Sequence, residues 1–329
     1  MFGWIRNDLG KIGFYLVVVI IVGAAFAPAL YFVGKWAGAA DLFGAGAWLD
    51  GILDRTNFQR FFNRAMLVAA VVCIWPLIRA LRRGEWERGL GMGLERDEAR
   101  WVHLVGGFLL AGSLLMLMGL VFLKTGVYEW REAAKRPSVG SIVQVALMAA
   151  AGAAVVEEFF FRGLLMGVSF RAAGKWVAMV FVTFVYTVVH FLKPPDSVVI
   201  PHAEVAWWTG FWLVGQIFVQ FGNPLFVLAE FATLFAVGWV LGLARLWTGA
   251  LWASIGLHAG WIFGLKFYSG MTKGAAPVAE TLPWVGASLK EGLVPFVVVT
   301  LTGVVVWWWV GRKKPRMDAD PSLLREQEL

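Results

Sequence analysis

Five ionisable residues in the second half of the chain have types and spacings that suit hydrolytic chemistry. Glu157, Glu158 and Arg162 share one apolar stretch, and His190 and His258 lie in two later ones. Such a side chain costs at least ~2.5–3.5 kcal/mol to place in a membrane helix, so the group predicts a function. Carboxylates and imidazoles in this setting transfer protons, stabilise oxyanions or bind metal ions.

The helix period separates the two glutamates. Successive residues of an α-helix diverge by ~100°, so Glu157 and Glu158 face different directions. Arg162 follows Glu158 by four residues, the order that favours an ion pair on one helix. Glu158 is therefore the expected partner of Arg162, and Glu157 is the candidate general base. The alternative is that both glutamates belong to one ion-pair cluster that holds helices together.

Two chemistries fit a convergent set of Glu157, His190 and His258. In the first, Glu157 takes a proton from water, His190 orients that water, and His258 stabilises the developing oxyanion. In the second, the three side chains bind a metal, because two histidines and one glutamate are a known catalytic zinc set. We expect no obligatory cofactor, with divalent zinc as the alternative.

The composition places these residues in a membrane protein. Of the 329 residues, 59% are hydrophobic and 16% are charged, with a mean hydropathy of +0.70. A soluble chain has about 25% charged residues, so soluble enzymes, disordered chains and disulfide scaffolds are excluded. The net charge of +7 comes from Lys and Arg scattered between apolar runs. These side chains are expected to face anionic lipid headgroups, and no nucleic-acid partner is predicted.

We predict an all-α, polytopic membrane helix bundle of about eight transmembrane helices, because roughly 20 apolar residues span the hydrocarbon. The predicted spans are Ile12–Gly34, Phe61–Leu81, Trp101–Leu123, Val139–Met166, Trp176–Leu192, Pro224–Leu243, Gly249–Phe267 and Leu293–Val310. Trp207–Phe221 is apolar but short, and counting it as a span would give nine. Eight is favoured, because nine would place the basic C-terminal tail outside the cell.

The predicted organisation has three parts. Residues 1–138 form the first three transmembrane helices, residues 139–268 the catalytic core, and residues 269–329 the last helix with a basic cytoplasmic tail. A modest excess of Lys and Arg on the side of both termini predicts that both are cytoplasmic. The Arg- and Trp-rich character of the chain indicates a bacterial inner-membrane protein. Glycines at four-residue spacing predict close helix packing, as at Gly238 and Gly242 and at Gly256, Gly260 and Gly264.

The stretch from Glu157 to Gly163 resembles the EExxxR signature of the CPBP family, the CAAX-processing and bacteriocin-processing intramembrane proteases. Tyr186 and His190 are similar to the second motif of that family, FxxxH, with tyrosine in place of phenylalanine. The run from Trp247 to Trp261 resembles the family's approach to its third-motif histidine. The resemblance covers roughly Val139–Trp261 and includes the Ras-converting type of CAAX endopeptidase.

The resemblance implies a role for each matching residue. It makes Glu157 the base, His190 its partner and His258 part of the oxyanion site, with Glu158, Arg162 and Tyr186 as structural or orienting residues. One position departs from the pattern. The Asn or Asp that follows the third-motif histidine by four residues is Ile262 here, which cannot donate a hydrogen bond. Losing one oxyanion donor costs about 2.7–4 kcal/mol in a soluble protease. Conceivable replacements are Tyr186, Gln216 and Asn223.

The leading expectation is an intramembrane endopeptidase, a metalloprotease if zinc is required, that hydrolyses a peptide bond of a membrane-associated protein or peptide. The alternative is a proton-coupled transporter that uses the same buried acids and histidines. In that case Glu158, Arg162 and Glu230 would matter as much as Glu157 and His190. A third possibility is an inactive relative that acts as an immunity or assembly factor.

Overall fold

The computed structural model describes residues 8–40, 57–81, 93, 99–191, 194, 198–222, 224–275, 277–286 and 288–312. Within these ranges the chain is an assembly of helices with one short pair of strands. The prediction of an all-α membrane helix bundle is confirmed. Asn223, the tail from Lys313 onward and most of the Arg-rich segment that follows Leu81 lie outside the described residues.

The described helices differ widely in length. They are α1 (Asp8–Ala39), α2 (Phe58–Leu81), α3 (Arg100–Lys124), α4 (Val139–Glu158), α5 (Met166–Ala173), α6 (Lys175–Phe191), α7 (Thr209–Val219), α8 (Pro224–Thr248), α9 (Trp252–Met271), α10 (Val278–Thr281) and α11 (Leu293–Val306). Two π-helical segments, Phe159–Leu165 and Trp307–Gly311, continue α4 and α11. The strands are β1 (Tyr128–Trp130) and β2 (Thr272–Gly274).

The chain divides into two compact units. The first comprises Met1–Arg88 and Val189–Gly222, and the second comprises Gly89–Val188 and Asn223–Leu329. In the first unit α1 and α2 pack antiparallel: the Tyr15 hydroxyl donates to the Ala70 carbonyl at 2.9 Å, and Gly34 lies against the Phe61 ring. The core of this unit is aromatic, with Tyr31, Phe58 and Phe61 in edge-on contact.

In the second unit α3 and α9 run parallel at close approach. Gly107 lies beside Leu257, and Gly112 lies beside Gly260. The Tyr268 hydroxyl donates to the Gly119 carbonyl at 2.9 Å. A Cβ at Gly260 would meet the backbone carbonyl of Phe108, so only glycine allows this spacing. The predicted role of the α9 glycines in close packing is confirmed.

A two-stranded sheet joins the C-terminal ends of α3 and α9. Strands β1 and β2 pair antiparallel, with Glu129 opposite Lys273 and a salt bridge of 2.8 Å between them. The hydrogen bond and the charge of Glu129 raise the pKa of Lys273. The Arg131 Nε donates to the Thr272 carbonyl at 2.9 Å. We call this end of the second unit the hairpin end.

The other long helices of the second unit alternate in direction. Helix α4 runs antiparallel to α9, since Ile142 lies near Gly270. Helix α8 begins at the hairpin end: the Gly292 amide donates to the Ala229 carbonyl at 3.3 Å, and the Tyr128 hydroxyl donates to the Gly286 carbonyl at 3.5 Å. Helix α11 also begins there and runs parallel to α8.

Helix α6 runs antiparallel to α8, because Thr183 packs on Gly238 and Met179 packs on Gly242. It therefore ends at the hairpin end, where α8 begins. Helix α7, which lies between them in the chain, has 11 residues, a length of about 16 Å against about 30 Å of hydrocarbon. Helix α7 is thus not among the helices long and apolar enough to cross a membrane, as the prediction of eight spans expects.

Six helical stretches are long and apolar enough to cross a membrane. They are Gly10–Ala39, Phe58–Leu77, Arg100–Lys124, Val139–Phe170, Val227–Thr248 and Leu293–Gly311. Helix α6 is shorter, and α9 is not among the six. The six candidate spans are roughly consistent with the predicted eight, and the exact number of crossings stays a prediction.

Candidate active site

The core of the site is a buried ion pair at the junction of α4 and its π-helical continuation. The Arg162 Nη1 donates to the Glu158 Oε1 at 2.9 Å, and the two side chains are 1% and 0% exposed. This is the pair that the four-residue spacing predicts. Arg162 lies within the π-helical turn, a local widening that often accompanies functional sites. Glu158 is the last residue of α4.

Two further contacts hold the guanidinium of Arg162. Its Nη2 donates to the Gly238 carbonyl on α8 at 3.1 Å, and its plane lies over the Tyr186 ring at 4.4 Å. A Cβ at Gly238 would lie 3.0 Å from the Tyr186 ring and 3.1 Å from the Thr183 side chain. Glycine therefore lets α8 approach α6 closely enough for its backbone to accept from Arg162. The glycine spacing predicts a packing role for Gly238, and no sequence pattern indicates that its carbonyl is a partner of Arg162.

His258 lies between the two glutamates. Its Nδ1 is 2.8 Å from the Glu158 Oε1, and its Nε2 is 3.8 Å from the Glu157 Oε2. An ionised Glu158 accepts a hydrogen bond, so the Nδ1 of His258 carries the proton in this contact. That bond fixes the ring with Nε2 towards Glu157, as a carboxylate orients the imidazole of a catalytic triad.

The two glutamates differ in exposure as well as in direction. The Glu157 side chain is 31% exposed, whereas Glu158 is fully buried. Arg162 neutralises Glu158, and with Glu157 ionised and His258 neutral the cluster carries one net negative charge. The Glu157 Oε2 and the His258 Nε2 face each other across 3.8 Å, and this oxygen is buried although the Glu157 side chain as a whole is partly exposed. Such a pair can accept and return a proton.

His190 belongs to the other compact unit. It is half-buried in the last turn of α6, one turn after Tyr186. Its predicted partnership with Glu157 stays a prediction. Among the conceivable replacements for the missing oxyanion donor, Gln216 also lies in the first unit, on α7. Ile262 is half-buried on α9, one turn after His258.

Tyr186 is the replacement candidate that lies against the cluster. Its ring is edge-on to the His258 ring with centroids 6.3 Å apart, and it also contacts the Phe161 ring. Tyr186 is buried, 1% exposed. A phenol at this position adds a hydroxyl that phenylalanine would lack, within the same packed group as Arg162 and His258.

Glu230 lies apart from this cluster. Its Oε1 accepts from the Lys290 Nζ at 2.6 Å, at the hairpin end. No motif assigns a role to Glu230, and its partner Lys290 is 60 residues away, in the segment before α11. The pairing explains how a buried carboxylate is accommodated there without a catalytic function.

Glu157, His190 and His258 are the predicted ligands if the protein binds a metal ion. Glu157 and His258 offer two donors, and no group of three His, Cys, Asp or Glu in the described residues is arranged to hold a metal ion. Whether a metal is required stays a prediction.

Residues 139–264 match the family model described as type II CAAX prenyl endopeptidase Rce1-like. The matched region starts with α4 and ends within α9, so it contains the glutamates, Arg162, Tyr186 and both histidines. The match confirms the resemblance to the CAAX protease family over this region. The comparisons with curated proteins and with solved structures found no match.

Proposed function

We propose that this protein is an intramembrane endopeptidase that hydrolyses a peptide bond of a membrane-associated protein or peptide. The observation that carries the proposal is the position of His258, held by Glu158 through Nδ1 and directed at Glu157 through Nε2. The family match over residues 139–264 supports a protease of the CAAX type. The apolar helices support an integral membrane protein.

In the proposed reaction Glu157 is the general base. It takes a proton from water, and the resulting hydroxide attacks the peptide carbonyl carbon. The C=O double bond opens, and its electron pair becomes an oxyanion on the carbonyl oxygen. When the C–N bond breaks, Glu157 returns the same proton to the leaving amine. The glutamate therefore ends the cycle ionised, and one water has been consumed.

His258 stabilises the oxyanion in this scheme. For this role His258 enters the cycle as an imidazolium with a proton on each ring nitrogen, donates from Nε2 and keeps both protons throughout. Its charge balances the one net negative charge of Glu157, Glu158 and Arg162. Glu158 keeps the ring in position through Nδ1, and Arg162 holds the Glu158 carboxylate through their ion pair. We assign to His190 the orientation of the attacking water. Tyr186 takes the place of the donor that Ile262 does not supply.

The test compares peptides released from a bacterial inner-membrane protein fraction by the purified protein and by two variants. Glu157→Gln keeps the shape of the side chain but removes the base, and should lower cleavage by about 10²–10⁴-fold. Glu230→Gln is the matched control, because it neutralises another membrane glutamate that lies apart from the site. Released peptides are identified by mass spectrometry, with a metal chelator in a parallel arm.

Each result has a defined meaning. Products that disappear in Glu157→Gln and persist in Glu230→Gln support the endopeptidase. Equal loss in both variants would favour the proton-relay alternative, since the pairing of Glu230 with Lys290 gives it no part in hydrolysis. Products that Glu157→Gln still releases would contradict the mechanism. Persistence of the products in chelator supports hydrolysis by glutamate and water, and their loss would show that a metal is required.

A further inference from the structure

The segment between α6 and α7 forms a pocket that the proposed hydrolysis does not use. Its cavity has a volume of about 320 Å³, close to the lower end of the range for small-ligand sites. The lining combines apolar, aromatic and acidic side chains, all from the first unit. They are Val199, Ile200, Glu204, Trp208, Thr209 and Trp212.

Two indole rings form one wall of this pocket. Trp208 directly precedes α7 and Trp212 lies in its first turn, and the Trp212 amide donates to the Trp208 carbonyl at 3.0 Å. Both side chains line the pocket. They are 48% and 41% exposed, which leaves a large area of each ring open to a ligand. The Ala206 amide donates to the Thr209 Oγ1 at 2.7 Å, and this bond fixes the turn that carries Trp208.

The charge of the pocket is negative. Glu204 is exposed at the end of a short 3₁₀ turn, and the described part of the chain gives it no salt bridge. Among the lining residues that the structure describes, none is a Lys or Arg. The turn is anchored at its first residue, because a hydrogen bond of 2.8 Å joins the His202 Nδ1 to the Tyr31 hydroxyl. The carboxylate is therefore carried by a fixed segment.

We propose that this pocket binds the ammonium group of a zwitterionic phospholipid. Aromatic faces beside a carboxylate are the chemistry that recognises organic cations, and an anionic ligand would be repelled by Glu204. Val199, which is 80% exposed, and Ile200 supply an apolar wall for the glycerol and acyl end of the same molecule. Exposed tryptophans before a short apolar helix are also typical of the membrane interface, where such headgroups lie.

The test measures lipid binding to the purified full-length protein by native mass spectrometry. Three short-chain probes are compared at equal concentration: dihexanoyl phosphatidylcholine, dihexanoyl phosphatidylethanolamine and dihexanoyl phosphatidylglycerol. We expect saturable binding of one or both ammonium lipids and none of the glycerol lipid. Glu204→Gln and Trp212→Leu should each weaken the binding about tenfold, whereas Trp212→Phe should retain most of it.

Trp130→Leu is the matched control, since Trp130 is a comparably exposed tryptophan of the other unit. It should bind the ammonium lipids like the unsubstituted protein. Circular dichroism and gel filtration establish that each variant is folded before its binding is compared. Equal binding of phosphatidylglycerol would overturn the proposal, as would unchanged binding in both folded pocket variants. Saturable binding of a lysine-containing peptide without binding of either ammonium lipid would assign the pocket to a peptide instead.

Discussion

At the residue scale, one imidazole connects both carboxylates of the site. His258 receives its orientation from Glu158 and directs its other nitrogen at Glu157. Glu158 and Glu157 are neighbours in the chain, yet one is enclosed by Arg162 and His258 and the other is partly exposed. The difference arises from the helix period and from the π-helical turn that places Arg162. Two identical side chains therefore have different expected functions.

This difference can be tested with Glu158→Gln. Glutamine has the same shape and still accepts a hydrogen bond from His258, but it removes the charge that stabilises an imidazolium. We expect peptide cleavage to fall by about 10²-fold or more while the protein stays folded. The measurement is kcat on a cleaved peptide, together with the thermal unfolding temperature in detergent. An unchanged kcat in the folded variant would contradict the orienting role of Glu158.

The sequence predicts the chemistry of these residues better than it predicts their contacts. The pair between Glu158 and Arg162 follows from spacing within one helix. The bond between Glu158 and His258 joins residues 100 positions apart, and the bond between Arg162 and Gly238 ends on a backbone carbonyl. No local pattern carries that information, because both contacts depend on how α4, α8 and α9 pack. Residue types therefore indicated the chemistry, and tertiary structure determined the partners.

At the element scale, glycines determine how closely α3 and α9 pack. Gly256→Ala should lower the unfolding temperature in detergent, because the alanine Cβ would clash with the backbone carbonyl of Leu104. A backbone group, unlike the end of a flexible side chain, can shift only at a large cost in free energy. Gly152→Ala is the matched control: it is also inside a helix, but nothing lies within 4 Å of its added Cβ. Alanine favours the helix more than glycine does, so Gly152→Ala should keep or raise the unfolding temperature. Equal effects of the two substitutions would refute the packing role.

The ion pair at the start of α8 predicts a pH dependence. Burial alone would lower the pKa of Lys290. The negative charges of Glu230 and Glu291, and the hydrogen bonds to both, have the larger effect and raise this pKa above 10.5. A group whose pKa is raised by folding stabilises the protein below its unfolded pKa and loses this effect as the pH rises through the folded value. We therefore expect stability to fall above about pH 10.5.

Thermal unfolding in detergent across the alkaline range checks this expectation. Lys290→Met should reduce the alkaline fall in stability, and Lys124→Met, at an exposed position at the end of α3, should leave it unchanged. Burial also raises the pKa of Tyr128 to about 12, so a second fall in the same range should persist in Lys290→Met. An alkaline fall of unchanged size in Lys290→Met would show that the ion pair does not contribute.

At the scale of the whole molecule, the second unit has a defined polarity. Helix α3 begins and α11 ends at the end opposite to the hairpin, and the sequence places basic segments next to both points. His258 follows the start of α9 by six residues, about 9 Å along the axis, so the site lies nearer to this basic end. The positive-inside rule predicts that this end is cytoplasmic.

Cysteine labelling in intact bacterial cells tests the orientation. In a Cys73→Ser background, Glu280→Cys near the hairpin end should react with a membrane-impermeant maleimide added outside. Arg312→Cys at the opposite end should react only after the membrane is permeabilised. The reverse labelling pattern would invert the predicted topology and place the site nearer to the outer face.

The bond between Arg162 and Gly238 has a consequence for how this protein can vary over generations. Any other residue at position 238 keeps the carbonyl but adds a Cβ that presses on Thr183 and Tyr186. A lost contact between two side chains can be restored by a compensating exchange at either partner. Here the acceptor is part of the main chain, so a larger residue at position 238 keeps the bond only if the Thr183 and Tyr186 side chains shift by a few tenths of an ångström. Lineages that lose this glycine are expected to recover function by exact reversion or by reshaping the neighbouring helix α6.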